Sequence, residues 1–229
     1  TSNFRAGVNA GNSIASGAQY NVVVGDEAGT AITTGDENTF IGYTAGDATT
    51  TATGNTALGF SSLTTNVLGS KSVAIGRAAL QVQNPASATD MYNVAVGHGA
   101  GESVTTGVRN TLIGGLSGDA LNTGSYNLSL GYAALSTDTK GQFSTALGYG
   151  ALNQQNFTSA TNAYNTAVGY VAGEAITTGV QNTLIGGLAG DALTDADSNA
   201  SVGKTSLSAN TTGSANAAFG ADALASNTT

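Results

Sequence analysis

One five-residue motif governs this chain: Asn or Ser, two variable residues, a large aliphatic residue or Phe, then Gly. It begins at Asn21, Asn38, Asn55, Ser72, Asn93, Asn110, Asn127, Ser144, Asn165, Asn182, Asn199 and Asn216. The spacings are 17, 17, 17 and 21, the same four again, then 17, 17 and 17. A period of this size marks a repeat architecture, in which each unit buries its apolar side only against its neighbours. Four units make a 72-residue super-repeat, and the stretch 110–121 returns almost unchanged as 182–193. The residue eight after each motif start cycles Gly, Gly, Leu, Leu, as in Gly29, Gly46, Leu63 and Leu80. Drift around a single unit would not preserve that cycle.

Each motif reads as a short strand followed by a corner. The apolar stretch is rich in β-branched residues and ends in Gly, which suits a corner needing φ > 0. A second corner is expected at Thr33-Thr34-Gly35, Thr105-Thr106-Gly107 and Thr177-Thr178-Gly179. Two strands and two corners make one coil. A 17-residue amphipathic helix is the rival reading, but Gly at both corners and scarce Glu, Lys and Arg oppose it. The expected fold is therefore all-β, a parallel β-solenoid of about 13 coils in a 17-17-17-21 pattern. Residues 1–229 form one solenoid segment, with super-repeats 21–92, 93–164 and 165–229 after a partial coil at 1–20. Neither end reads as a cap, so a segment of a longer fibre is expected.

The columns suggest how the coil fills. The fourth motif position is large and apolar throughout, from Val24 and Ile41 to Phe219, and the residue four further on is always Ala or Ser up to Ser206. A large column beside a small one is expected to fill a narrow core. Stacked motif Asn residues are expected to form an amide ladder. A roll this thin gains from packing a face against sister chains, so a homotrimer is expected, although the residues alone also allow a monomeric solenoid.

Composition narrows the function. Charged residues are 9%, against about 25% in ordinary globular proteins. Net charge is −8, with six Lys and Arg spread along the chain, which argues against nucleic acid and anionic membranes as partners. No apolar run of about 18 residues is present, so no membrane insertion is expected in this segment. The absence of Cys removes disulfides and thiol chemistry.

The stretch Ser72-Val73-Ala74-Ile75-Gly76, with its variants at Asn55–Gly59 and Asn165–Gly169, resembles the head repeats of YadA-like trimeric autotransporter adhesins. The longer pattern from Asn165 through Thr177-Thr178-Gly179 is similar to repeats in bacteriophage tail fibres. The resemblance covers nearly the whole chain. It implies a left-handed parallel β-roll assembled as a trimer. Coils of 17 residues, with a 21-residue coil every fourth turn, depart from the shorter coils usual in the adhesin heads.

Three sets of residues are candidates for function. The longer coils carry variable stretches at 81–92 and 153–164, with 9–20 as the first copy, and each ends in Tyr: Tyr20, Tyr92 and Tyr164. Insertions in solenoids map to one face, often the binding face. A receptor-binding edge is one reading, a spacer loop the other. The residue after the motif Gly is often aromatic or charged, including Tyr132, Tyr149, Tyr170 and His98; these could stack on sugars or form a mixed rim or subunit contact. An acidic column runs through Asp47, Glu102, Asp119, Glu174 and Asp191. It could hold Ca²⁺, although a solvated acidic edge is the plainer reading.

No catalytic set stands out, since His98 is the only His and no acidic pair is singled out from the repeat. No enzyme activity, cofactor or metal is expected. The expected function is a structural and adhesive fibre segment, best read as a phage tail fibre that attaches to a host cell-surface glycan or protein. Its place would be extracellular, on a virion or a bacterial surface. An adhesin head, a polysaccharide-degrading tailspike and an ice-binding solenoid are the alternatives. The Thr pairs that an ice-binding array would need are interrupted by Leu68, Pro85 and Phe157.

Overall fold

The computed structural model describes residues 2–229 and, among these, contains strands and turns with no helix. Thirteen three-residue strands form one parallel sheet in chain order along the solenoid. The first is Phe4–Ala6 and the last Ala217–Phe219. Register follows the motif: Val22 pairs with Thr39, Thr39 with Thr56 and Thr56 with Val73. The chain is a parallel β-solenoid of about thirteen turns with no helix long and apolar enough to cross a membrane.

The second side of the coil differs from the expected second strand. At Thr33-Thr34-Gly35 the chain bends and crosses without strand geometry, although its amides still pair coil to coil, as in Thr33 N–H to the Thr50 carbonyl (2.9 Å). Strand pairs form on this side only at the longer coils: Gly69–Ser70 with Thr89–Asp90, and Gly141–Gln142 with Thr161–Asn162.

The motif residues alternate in and out along each strand with the period of two that a pleat imposes. Motif Asn and the third position point inward, and Val23, Phe40, Ala57, Ala74 and Leu112 are fully buried. The second and fourth positions therefore point outward. The expectation that the large fourth column fills the core is overturned. Leu58, Leu130 and Ile185 are 44%, 46% and 39% exposed. An inward Asn at the first position fixes the phase of the pleat and sends the fourth residue to the other face. The Ala or Ser column does lie inside, as Ala28, Ala45 and Ser62 show.

The interior is filled by exchange of volume between coils. Coils with Leu in the cycling column carry Ala or Ser at the third motif position, as Leu63 with Ala57 and Leu135 with Ser129. The second coil of each super-repeat reverses the arrangement, pairing Phe40 with Gly46, Leu112 with Gly118 and Leu184 with Gly190. A Cβ on Gly46 would lie 2.5 Å from Phe40. In later first coils the Gly is crowded by adjacent coils: a Cβ on Gly101 would meet Leu112 at 2.7 Å and Leu80 at 3.0 Å, whereas one on Gly29 would meet Ile32 and Val23 of its own coil at 2.7 and 2.8 Å. The Gly-Gly-Leu-Leu cycle is thus a packing rule.

The Asn ladder is present. Asn38 donates from its backbone N–H (3.0 Å) and Nδ2 (3.1 Å) to Asn21 Oδ1, and its Nδ2 also reaches the Ala52 carbonyl (2.9 Å). The same arrangement recurs at Asn110 and Asn182. The ladder amides from Asn21 to Asn199 are paired, whereas Asn216 Nδ2 has no partner; each rung fixes the level of the next coil.

Candidate functional surface

The outward face of the long sheet is a strip bounded by two columns of side chains. Its centre is the outward aliphatic column, half-buried to exposed, with Thr, Val, Leu or Ala beside it at the second motif position. Its first edge is the residue before each motif, held with φ near +60° at Tyr20, Tyr126 and Phe143. Its second edge is the residue after the motif Gly.

Both edges carry stacks. On the first, Lys71 Nζ lies 5.3 Å from the Tyr92 ring centroid, and Arg109 lies between Tyr92 (5.8 Å) and Tyr126 (5.4 Å). Tyr126 then stacks on Phe143 (4.9 Å) and Phe143 on Tyr164 (5.3 Å). The second edge has Tyr43 on Phe60 (5.4 Å), Arg77 over Phe60 (5.7 Å), and Tyr132, Tyr149 and Tyr170 in sequence (5.7 and 5.5 Å). These spacings follow from coil stacking near 4.8 Å. Side chains at one column must lie over one another, and aromatic or guanidinium groups convert that into face-to-face contact.

This geometry changes the reading of the tyrosines. Tyr92 and Tyr164 end the variable stretches but stand in the first edge column, stacked on their neighbours. Tyr20, Tyr92 and Tyr164 are all exposed in that column. The longer coils also carry exposed runs at Ala86-Ser87-Ala88 and Thr158-Ser159-Ala160. Tyr149 has a ring on each face, so a sugar would meet ring edges and hydroxyls there rather than an open ring face.

A feature missed in the sequence lies inside the longer coils. Where the ladder carries Ser instead of Asn, a fully buried Gln fills the rung. Gln155 Nε2 donates to Asp138 Oδ2 (2.6 Å) and Ser144 Oγ (2.9 Å), and its Oε1 accepts from Asn165 Nδ2 (2.8 Å). Gln83 fills the equivalent rung: its Nε2 donates to Asn66 Oδ1 (3.3 Å), and its Oε1 accepts from Ser72 Oγ (3.2 Å) and Asn93 Nδ2 (2.9 Å). The signal was legible as Ser at a motif start with Gln eleven residues later, twice.

Three members of the acidic column each stand near a second acid. Asp47, Asp119 and Asp191 each have a buried Oδ1 with no hydrogen-bond partner. Burial raises each carboxyl above its usual value, and Glu27, Glu102 and Glu174 respectively add repulsion. Nearby backbone amides oppose this without cancelling it. Among the described residues, no three of His, Cys, Asp and Glu gather as metal ligands. His98 Nε2 lies 3.1 Å from Arg77, and no carboxylate hydrogen-bonds it among the described residues. A depression of about 190 Å³ at one end of the solenoid is lined by Asn3, Arg5, Ile14, Ala15 and Ser16, without an acid or His.

No family model, no curated protein and no solved structure matches the chain.

Proposed function

We propose that this chain is a structural and adhesive segment of an extracellular fibre, best read as a phage tail fibre that attaches to a host surface. The observation that supports this reading is the repetition of one sheet and ladder from Asn3 to Asn216, with Gln83 and Gln155 filling the rungs where Ser72 and Ser144 replace Asn. Such a chain sets a length and spaces surface features at fixed intervals. The exposed runs at 86–88 and 158–160 recur four coils apart, about 19 Å at strand spacing. In this reading three copies form a left-handed β-roll fibre, with the outward aliphatic strip covered by the sister chains. An exposed apolar strip of this extent is what a protein interface leaves when its partner is removed.

Fluorescently labelled protein incubated with candidate host cells tests attachment. Ser87→Trp with Ser159→Trp blocks both exposed runs without touching Gln83 or Gln155. Abolished cell binding supports the loops as the receptor edge, and unchanged binding places recognition elsewhere. Release of new reducing ends from host polysaccharide would overturn the non-enzymatic part of the reading.

A further inference from the structure

The second edge column has a break that leaves an aromatic face open. Tyr132, Tyr149 and Tyr170 stack at 5.7 and 5.5 Å. The next residue in the column is Gly187, and Lys204 follows it. A Cβ at Gly187 would meet nothing within 4 Å. The other Gly of this column differs: a Cβ at Gly115 would lie 3.4 Å from the Tyr132 ring, so that space is already closed. Tyr149 has a ring on each face, whereas Tyr170 has Tyr149 on one face and the Gly187 level on the other. Tyr170 is accordingly 60% exposed, against 53% for Tyr132 and Tyr149. Tyr170 and Lys204 are two coils apart, about 10 Å. The gap between them is therefore one ring high. Lys204 is exposed and is the one charge in this column from Tyr149 to Ala221. Among the described residues its ammonium has no carboxylate partner, the ion pair being Lys71 with Asp90. Asp222, on the next coil, accepts from Thr205 Oγ1.

We propose that the gap between Tyr170 and Lys204 binds one pyranose ring bearing a carboxylate, a uronate unit of a host glycan. The inference rests on the host attachment proposed above, and it adds the site and the sugar class. The C–H groups on one face of the pyranose lie against the open Tyr170 ring, whose face is the negative pole of its quadrupole. The sugar thus takes the level of a fourth ring in the stack. The Lys204 ammonium donates to the carboxylate, a charge-assisted hydrogen bond. Gly187 leaves the level free because it has no side chain to fill it. The site stands on the edge column, beside the aliphatic strip and not on it.

Saturation-transfer difference NMR with tetragalacturonate and with maltotetraose, one acidic and one neutral α-1,4-linked tetrasaccharide, tests the site. The expected result is strong transfer to tetragalacturonate and little to maltotetraose. Lys204→Gln should weaken uronate binding about tenfold, the loss expected of a charge-assisted hydrogen bond. Tyr170→Ala should abolish it. Gly187→Tyr should abolish it too while leaving the Tm unchanged or raised, because the column already seats Tyr at 132, 149 and 170. Tyr43→Ala, on the same edge but outside the gap, should leave binding unchanged. Uronate binding retained by Tyr170→Ala or by a folded Gly187→Tyr overturns the site. Equal binding of maltotetraose overturns the sugar class. Labelled natural chain is applied to host cells in parallel. Cell attachment without uronate binding overturns this inference alone, and absence of both overturns the adhesive reading as well.

Discussion

Gly59 has φ +139°, and a Cβ there would lie 2.5 Å from the Gly76 carbonyl oxygen of the next coil. Both conformation and contact exclude a side chain, which explains Gly at the fifth motif position. Gly59→Ala should cost about 3 kcal/mol or more, read as a lowered urea midpoint. Left-handed backbone alone is no such barrier here. Leu63 (φ 54°), Thr44 (φ 52°) and Val171 (φ 46°) adopt it, because the amides of these residues are held by neighbouring coils, as Thr44 N–H is by the Asp26 carbonyl (3.1 Å). Gly in the sequence therefore marks only part of the backbone with positive φ. In the cycling column the barrier is volume: Gly46→Leu should destabilise through its collision with Phe40. Adding Phe40→Ala recreates the Ala57–Leu63 arrangement of the next coil. A double-mutant cycle should show coupling of about 1–3 kcal/mol in favour of the pair; additive losses would refute the exchange of volume.

At the scale of the coil, the longer turns test whether polar groups inside a solenoid are structural. Gln155→Leu strands Asp138 Oδ2 and Ser144 Oγ, which rely on that amide, and leaves Asn165 Nδ2 with the Gly179 carbonyl alone. An orphaned buried polar group costs about 1–3 kcal/mol, so amide exchange should accelerate locally around Asp138 to Asn165 while distant coils stay protected. The acidic pairs predict an opposite kind of effect. Asp47, Asp119 and Asp191 have raised pKa values in the folded chain, so the folded state holds their protons more tightly than the unfolded state. Stability then falls as pH rises through the window from the usual value near 3.8 up to the raised value, and the penalty is complete above it. The triple variant Asp47→Asn, Asp119→Asn, Asp191→Asn should have a higher Tm than the natural chain at pH 7. That advantage should shrink as pH is lowered towards 4; a constant gap would refute the pH linkage.

For the whole molecule, strand positions and the Asn ladder were legible because a solenoid reuses one backbone path, so each aligned column reports a single environment many times. The direction of the large column was not legible from its size. Val24, Ile41 and Leu58 look like core, and only the inward phase set by Asn21, Asn38 and Asn55 shows that they face out. The stacking of the tyrosines that end the variable stretches was hidden for a related reason: Tyr92 belongs by register to the column before the motif, whatever the length of the stretch preceding it. In the assembly proposed above, the outward aliphatic column, with Leu58, Leu130 and Ile185 exposed in the single chain, gains its burial from association and not from folding. Ile113→Asp with Leu130→Asp should therefore leave circular dichroism and the isolated fold nearly unchanged. The same pair should weaken association by at least about 100-fold, since each such side chain contributes about 1.5–3 kcal/mol when fully buried and about 1.4 kcal/mol is tenfold in affinity. Light scattering across a dilution series measures this. If the variant loses its folded signal and its association at the same concentration, the two are one transition, and the strip is part of a core shared between chains.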